Sequence, residues 1–168
     1  MGRRDVGILH PGSMGAQVAA QAVAAGATLR WLPQGRSAAT RERAGDIGLR
    51  PAADLRELAG ACEILLSVCP PAAALDVAAQ VADAGFRGVY VDADAVGPER
   101  MAEITDVFEG GAVTVVDGGI AGPPPASPRG PGATSPGTTR PWRASATCSR
   151  APLAPRSSCR GPSHGRPR

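Results

Sequence analysis

Short apolar runs alternate with stretches of helical spacing through the first 122 residues. Each intervening stretch is long enough for the chain to return and begin the next strand in the same direction. Residues 64–66 and 113–116 are almost continuously apolar, as in strands that are buried on both faces. The pattern predicts an α/β fold with a doubly wound, mostly parallel six-stranded sheet. The six predicted strands are residues 5–9, 28–32, 47–50, 63–68, 88–92 and 113–117.

Capping residues mark the helices between these strands. Gly26 follows an Ala-rich stretch and is a typical residue to end a helix. Ser37 and Asp54 are typical N-caps, because their side-chain oxygens accept from the first N–H groups of a helix. We predict helices over residues 13–25, 37–44, 54–59, from Pro70–Pro71 onward, and over residues 98–108.

Residues 123–168 differ in kind from the rest of the chain. They contain 8 Arg, no acidic residue and 11 of the 17 prolines, whereas residues 1–122 contain 10 Arg and all 15 acidic residues. Trp142 and Leu153 are their only large apolar side chains, which are too few to offset the entropy of ordering 46 residues. We predict a folded domain over residues 1–122 and a disordered tail over residues 123–168. A basic tail favours nucleic-acid binding only weakly, because charged tails are more often merely solvated.

Several classes of protein and site are not expected. The sequence holds no apolar run of about 18 residues, so no membrane span is predicted. The apolar run near the start is too short for a signal peptide. The four cysteines form no Cys-x-x-Cys pair and the chain has only two histidines, so we expect no metal site and a reducing, cytoplasmic location.

Residues 6–15 read VGILHPGSMG, a strand that ends in a glycine turn and leads directly into a helix. Such a turn offers free N–H groups at the positive end of the helix dipole, which suits a pyrophosphate. Gly12 would let the phosphates approach the backbone, and Gly15 would let the helix pack closely on the strand. His10 replaces the usual first glycine, and Pro11 restricts it to an extended conformation. The alternative is an ordinary strand-to-helix turn.

The end of the second predicted strand carries Arg36 and Ser37 where dinucleotide-binding units have an acidic residue for the ribose 2′-hydroxyl. No acidic residue occurs between Asp5 and Glu42. Because a guanidinium binds phosphate with charge-assisted hydrogen bonds, this pattern favours NADP over NAD. The alternative is a solvated arginine at the start of a helix.

Five segments in the same order resemble the N-terminal cofactor domain of the 6-phosphogluconate dehydrogenase and 3-hydroxyisobutyrate dehydrogenase superfamily. They are residues 6–15, 35–37, 67–71, 91–94 and 116–125, and the resemblance covers about residues 5–125. It implies a Rossmann-type fold and an oxidoreductase that exchanges hydride between NADP and a small hydroxy-acid or carbonyl substrate.

The resemblance also implies a cofactor site at the carboxyl ends of the strands. The turn after the first strand would hold the pyrophosphate and approach the nicotinamide, and Arg36 with Ser37 would hold the 2′-phosphate. Asp94 stands where the family usually has Ser or Asn. Cys69 would line the ribose cleft, as a small apolar residue rather than as a functional thiol. The implied cofactor residues are His10, Pro11, Gly12, Ser13, Met14, Gly15, Arg36, Ser37, Cys69, Pro70 and Asp94.

A second implied site is the substrate-side loop, formed by Asp117, Gly118, Gly119 and Gly122. In the family, a helical second domain supplies a catalytic lysine, but this chain contains no lysine and no helical periodicity after Pro125. We therefore predict no catalytic residue and a truncated or frame-shifted dehydrogenase; a natural basic tail is the alternative. An NADP(H)-sensing module without catalysis is a second possible function, while the substrate and the oligomeric state stay open.

Overall fold

Strands in the described part of the chain form a single sheet. The computed structural model describes residues 5–120 and Ala146–Thr147. The strand bounds are β1 Asp5–Ile8, β2 Thr28–Trp31, β3 Arg50–Pro51, β4 Ile64–Ser67, β5 Gly88–Asp92, β6 Val113–Gly118 and β7 Ala146–Thr147. The strand order is β3-β2-β1-β4-β5-β6-β7. The pairs among β1–β6 are all parallel, and β7 runs antiparallel to β6. The predicted fold class is confirmed.

Five α-helices in the described residues cover the two faces of this sheet. They are α1 Ser13–Ala24, α2 Ala38–Ile47, α3 Leu55–Ala61, α4 Ala74–Asp83 and α5 Pro98–Val107, with a short 3₁₀ turn over Pro71–Ala73 before α4. Helices α1 and α2 cover one face, where Ala19 and Ala44 pack with Ile8 and Trp31. Short side chains on both helices let them lie close to the strands.

The opposite face carries the larger core, under α3, α4 and α5. Leu65 and Tyr90 of the central strands are fully buried there, together with Leu58 and Ile104 of the helices. Helix α4 turns one stripe toward the sheet, formed by Ala74, Val77, Ala78 and Val81. Both faces of the sheet are therefore covered around β1 and β4, as expected for parallel strands.

Both predicted N-caps are confirmed. The Ser37 Oγ accepts a hydrogen bond from the Thr40 N–H at 3.2 Å, and the Asp54 Oδ1 accepts one from the Glu57 N–H at 2.8 Å. These caps fix where the loops after β2 and β3 end, and so they fix the neighbouring loop residues at the sheet edge.

The third strand differs from its prediction. Residues 47–50 were predicted as a strand, but α2 continues to Ile47 and the strand is Arg50–Pro51. Gly48 ends the helix with a φ of 78°, a left-handed conformation that glycine adopts without steric cost. The glycine acts as a helix terminator here, and the strand starts only after the chain has turned.

The strand β7 lies within the segment that was predicted as a disordered tail. Ala146 pairs with Gly118 and Thr147 pairs with Asp117. The remaining residues of that tail prediction, 123–145 and 148–168, lie outside the described residues.

The order of the strands reverses between β1 and β4. From β1 the chain moves outward to β2 and β3, and from β4 it moves outward to β5 and β6 on the other side. Open α/β sheets bind ligands in the crevice at the carboxyl ends of the strands at such a reversal. The loops that follow β1, β2, β4 and β5 therefore define the candidate site.

Candidate functional site

The turn after β1 brings the first predicted residues to the carboxyl edge. Gly12 is the N-cap of α1, and its N–H donates to the His10 carbonyl at 2.8 Å. A Cβ on Gly15 would lie 2.5 Å from the His10 carbonyl oxygen, so only glycine fits there. No atom lies within 4 Å of a Cβ built on Gly12, which leaves its backbone open to a ligand. The first N–H groups of α1, from Ser13 onward, have no earlier helical turn to accept from them.

The exposure of the turn residues varies sharply. Pro11 is fully buried, whereas Ser13 is exposed and Met14 is the large apolar side chain with the greatest exposure among the described residues, at 40%. Pro11 is therefore packed inside the fold, whereas Ser13 and Met14 are accessible to solvent.

His10 and Arg36 line one cavity of about 270 Å³ at the edge of β1 and β2. We call this the His10–Arg36 pocket. Its walls are mainly apolar, and polar groups of α4 stand at its border. The lining residues are Leu9, His10, Leu32, Arg36, Leu55, Ala73, Asp76, Val77, Gln80 and Val81.

Two nitrogen atoms at this pocket are buried and have no hydrogen-bond partner among the described residues, the Nδ1 of His10 and the Nε of Arg36. Burial lowers the pKa of His10 to about 4, with a further contribution from the positive charge of Arg36 and an opposing one from Asp94. Burial also lowers the pKa of Arg36, which stays charged because a guanidinium does not lose its proton in proteins. The pocket thus holds the positive charge of Arg36 beside a neutral imidazole, and the carboxyl side chain of Asp76 is also part of its lining.

Ser37 lies next to Arg36 and is exposed. Its hydroxyl caps α2 and lies 3.0 Å from the Thr40 hydroxyl. Ser37 therefore directly follows Arg36 in the loop, and its oxygen is hydrogen-bonded to the first turn of α2.

A second group of polar side chains lies at the ends of β4 and β5. We call Ser67, Cys69, Asp92 and Asp94 the carboxylate cluster. The Ser67 hydroxyl donates to Asp94 Oδ2 at 2.7 Å, and the Cys69 N–H donates to Asp94 Oδ1. The Cys69 thiol also donates to Asp94 Oδ2, at 3.2 Å. Asp94 is 3% exposed, so it faces its own loops rather than open solvent.

Asp92 lies below Asp94 and is itself buried. Its Oδ1 accepts from the Asp94 N–H at 3.1 Å, while its Oδ2 has no hydrogen-bond partner among the described residues. Burial raises the pKa of Asp92 to about 6, and repulsion from Asp94 and Asp117 adds to the increase, although the Asp94 N–H opposes it. A carboxyl that is buried beside another carboxyl favours its protonated form.

Cys69 is not activated as a nucleophile. Burial raises the pKa of its thiol to about 12, and its hydrogen bond to Asp94 adds to the increase. Because the thiolate is the reactive form, this cysteine acts as a hydrogen-bonded part of the loop. Pro70, which follows it, is exposed and precedes the 3₁₀ turn.

The predicted substrate-side residues lie at the end of β6. Asp117 is exposed and stands in register with Asp92 on β5, and Gly118 pairs with Ala146. Gly119 has open space around its Cα, and Gly122 lies outside the described residues. The structure therefore brings Asp117, Gly118 and Gly119 to the same edge as the carboxylate cluster.

Sequence reasoning missed two kinds of residue at this edge. It did not name Ser67 and Asp92 as site residues, although both lie in segments that carry the family resemblance and Asp92 is a carboxylate that ends the apolar run of β5. It also did not find Asp76 and Gln80, because a polar residue on the solvent side of a helix has no distinct pattern. No group of three or more His, Cys, Asp or Glu among the described residues is arranged to hold a metal ion. Within the same residues, no helix has the length and apolar character needed to span a membrane.

No protein-family model matches the sequence, and the comparison with curated proteins gave no match. The fold does match solved structures. One is a conserved protein of unknown function with structural similarity to 3-hydroxyacid dehydrogenases: it is 27% identical, has a TM-score of 0.63, and the match covers 71% of this chain and 44% of that one. Mycobacterium tuberculosis 3-hydroxyisobutyrate dehydrogenase, solved with L-serine, is 18% identical with a TM-score of 0.64, covering 72% and 42%. An imine reductase from Pseudomonas sp. is 19% identical with a TM-score of 0.62, covering 73% and 43%.

The fold matches those of solved structures that include a 3-hydroxyisobutyrate dehydrogenase and an imine reductase. The resemblance that the sequence motifs predicted is thus confirmed, and it extends to imine reductases. The chain spans between 42% and 44% of the length of these three solved structures.

Proposed function

We propose that this chain is the NADP-binding domain of a dehydrogenase or reductase, with the 2′-phosphate of the cofactor held at Arg36. The buried, unpartnered nitrogens of the His10–Arg36 pocket carry this proposal. Buried polar groups are normally hydrogen-bonded, and a bound phosphate would supply the missing acceptor oxygens. Among similar solved structures, one is an imine reductase in complex with NAD+ and another is a reductive aminase with an NADPH-type cofactor, so the choice of dinucleotide must come from this chain's own residues.

The residues present fit a dinucleotide along the carboxyl edge. The first turn of α1, beginning at Ser13, would hold the pyrophosphate with its backbone N–H groups. Arg36 would bind the 2′-phosphate, and Ser37 stands beside it. Cys69 and Pro70 would border the ribose, in a loop that Asp94 holds in place.

A bound nicotinamide supplies hydride transfer to or from a carbonyl-type carbon. For turnover, an acid–base group must also lie within hydrogen-bond reach of the reacting oxygen or nitrogen. At this edge Asp94 is buried and committed to Ser67 and Cys69, and Asp117 is exposed to solvent. We therefore propose that the chain alone binds cofactor without turnover, and that it belongs in a reducing cytoplasm.

A role as an NADP(H)-sensing module is the second candidate, because the same pocket binds cofactor whether or not catalysis follows. The two roles are separated by an assay with NADPH or NADP and a panel of small hydroxy acids, aldehydes and imines, followed at the nicotinamide absorbance. Saturable turnover by the purified chain would contradict the proposed lack of catalysis.

The cofactor assignment is tested by calorimetric titration of NADP and NAD. The unaltered chain is expected to bind NADP more tightly, by roughly ten- to a hundredfold, because a charge-assisted contact contributes about 1.5–3 kcal/mol. Arg36→Ala should remove most of that preference and leave NAD affinity nearly unchanged. Arg41→Ala is the matched control, since it removes an exposed arginine from α2 that does not line the pocket. Equal affinities of the unaltered chain for NADP and NAD would refute the assignment.

A further inference from the structure

His10 occupies the position where dinucleotide-binding turns have their first glycine. A glycine there offers no side chain, whereas this chain places an imidazole against the pocket that Arg36 lines. The substitution does not serve the turn itself, because the tight contact at the turn is made by the His10 carbonyl and Gly15. The side chain of His10 therefore needs a separate explanation.

The imidazole makes no side-chain hydrogen bond to the described protein through its buried Nδ1. Arg36 has the same deficit at Nε. Both residues line one cavity, and most buried polar atoms in proteins are hydrogen-bonded. Both can donate to the same anion, because a protonated imidazole has a donor at each nitrogen and a guanidinium has five.

A phosphate monoester brings more negative charge than Arg36 alone offsets. Such a group carries about −1.5 to −2 charges near pH 7, with a second ionisation near pH 6. Arg36 supplies a single positive charge, and the neutral His10 supplies none. Bringing a dianion close to a neutral imidazole favours protonation of that imidazole.

We propose that His10 and Arg36 together form the 2′-phosphate site, and that His10 takes up one proton from solvent when the phosphate enters. This inference rests on the proposed NADP function and adds to it a proton that is bound with the cofactor. The N–H groups of the resulting imidazolium donate to phosphate oxygens, and no bond other than the new N–H forms. NADP binding thereby becomes tighter in mild acid, while NAD binding does not.

The charged groups around His10 come from three other elements. Arg36 faces it from the loop after β2 and opposes its protonation, whereas Asp94 faces it from the loop after β5 and favours protonation. Asp76 of α4 borders the same pocket and is exposed, and Cys69 stays a neutral thiol. In the free protein burial and Arg36 prevail, and the pKa of His10 stays near 4. An incoming phosphate adds the negative charge that changes this balance.

The test uses 2′,5′-ADP and 5′-AMP, which share the adenosine and the 5′-phosphate and differ only in the 2′-phosphate. Affinities of both are measured by calorimetry on the unaltered chain and on His10→Gln, which keeps a polar side chain but cannot be protonated. If the phosphate restores His10 to its ordinary pKa, the affinity of the unaltered chain for 2′,5′-ADP, relative to His10→Gln, should rise about tenfold from about pH 8 to about pH 5.5. The titration of the 2′-phosphate itself is common to both proteins and cancels in this ratio.

Proton uptake gives a second measurement. Binding heats of 2′,5′-ADP to the unaltered chain and to His10→Gln are compared in two buffers of different ionisation enthalpy near pH 6. The proton that the 2′-phosphate itself exchanges near this pH is common to both proteins. We expect a larger proton uptake by the unaltered chain than by His10→Gln.

The possible results are distinct. A preference for 2′,5′-ADP with equal pH dependence in both proteins, or with no additional proton uptake, would overturn the role of His10 and leave the NADP assignment standing. No preference for 2′,5′-ADP over 5′-AMP at any pH would overturn the NADP assignment and the role of His10 together.

Discussion

The His10–Arg36 pocket and the carboxylate cluster lie at the same edge of the sheet but use their polar groups in opposite ways. In the pocket, two buried nitrogens of a histidine and an arginine have no partner in the described protein. In the cluster, Asp94 accepts from Ser67 and twice from Cys69. The pocket can therefore gain hydrogen bonds from a ligand, whereas Asp94 already makes its own and ties β4 to β5; in the cluster it is Asp92 Oδ2 that has no partner among the described residues.

The largest effect is expected from Asp94→Ala. The change removes the acceptor for the Ser67 hydroxyl and for the Cys69 N–H, which are left unsatisfied, so the free energy of unfolding should fall by roughly 2–4 kcal/mol. Urea denaturation measures this loss. Asp117→Ala is the matched control, because Asp117 is exposed at the same edge, and it should change stability by no more than about 0.5 kcal/mol. Equal losses in the two variants would show that the cluster does not hold the loops together.

NADP should stabilise the fold through contacts at the His10–Arg36 pocket. At a free NADP concentration of about 100 times its dissociation constant, the fold should gain roughly 2.7 kcal/mol and melt about 5–10 °C higher. Differential scanning fluorimetry measures the shift, with NAD at the same concentration as the control. An identical shift with NAD would place the stabilising contacts away from Arg36.

Asp92→Asn should remove a loss of stability that the carboxylate cluster suffers as the pH rises. The pKa of Asp92 is raised to about 6 in the fold, from 3.8. Between those two values the unfolded chain loses its proton first, so the unaltered protein becomes less stable as the pH rises and keeps that loss above about pH 6. The asparagine variant cannot ionise, and it should be more stable than the unaltered chain at neutral pH by about 1–2 kcal/mol. Denaturation midpoints of both proteins are measured across this pH range. Midpoints that change with pH by the same amount in the two proteins would contradict the account.

His10→Gln should remove a smaller loss of stability, one that the unaltered protein suffers as the pH falls rather than rises. The pKa of His10 is lowered to about 4 from 6.5, so the unfolded chain gains a proton first as the pH falls, and the unaltered protein loses stability in that window. The glutamine variant should gain roughly 0.5–1 kcal/mol over the unaltered chain between about pH 8 and pH 5, because a half-buried group is partly screened by solvent. Unfolding in urea at the two pH values measures it, and a gain that is the same at both would reject the neutral, buried state of His10.

Most of the fold could be predicted from local patterns. The caps at Ser37 and Asp54 are side-chain to backbone contacts within one turn, so residue type and spacing determine them. The third strand was misplaced because Gly48 ends a helix here, and an apolar residue such as Ile47 suits the last turn of a helix as well as a strand.

The candidate site also has a part that could be predicted from the sequence and a part that could not. That His10 and Arg36 line the same pocket could be expected, because both follow strands that are neighbours in a doubly wound sheet. The absence of hydrogen-bond partners for their nitrogens could not, since it depends on which side chains fill the space around them. The sequence placed Cys69 and Asp94 in the cofactor site, but it could not predict the hydrogen bonds of the carboxylate cluster, because Ser67 and Asp94 are 27 residues apart and meet only through the pairing of β4 with β5.

A crystal structure of the full chain with NADP tests the central claim most directly. The account predicts the 2′-phosphate in the His10–Arg36 pocket, with its oxygens accepting from the Arg36 guanidinium and the His10 imidazole at ordinary hydrogen-bond distances of about 2.7–3.2 Å. It also predicts that Asp94 keeps its hydrogen bonds to Ser67 and Cys69. A 2′-phosphate that points into solvent, or a cofactor that displaces the Asp94 contacts while leaving the pocket empty, would contradict it.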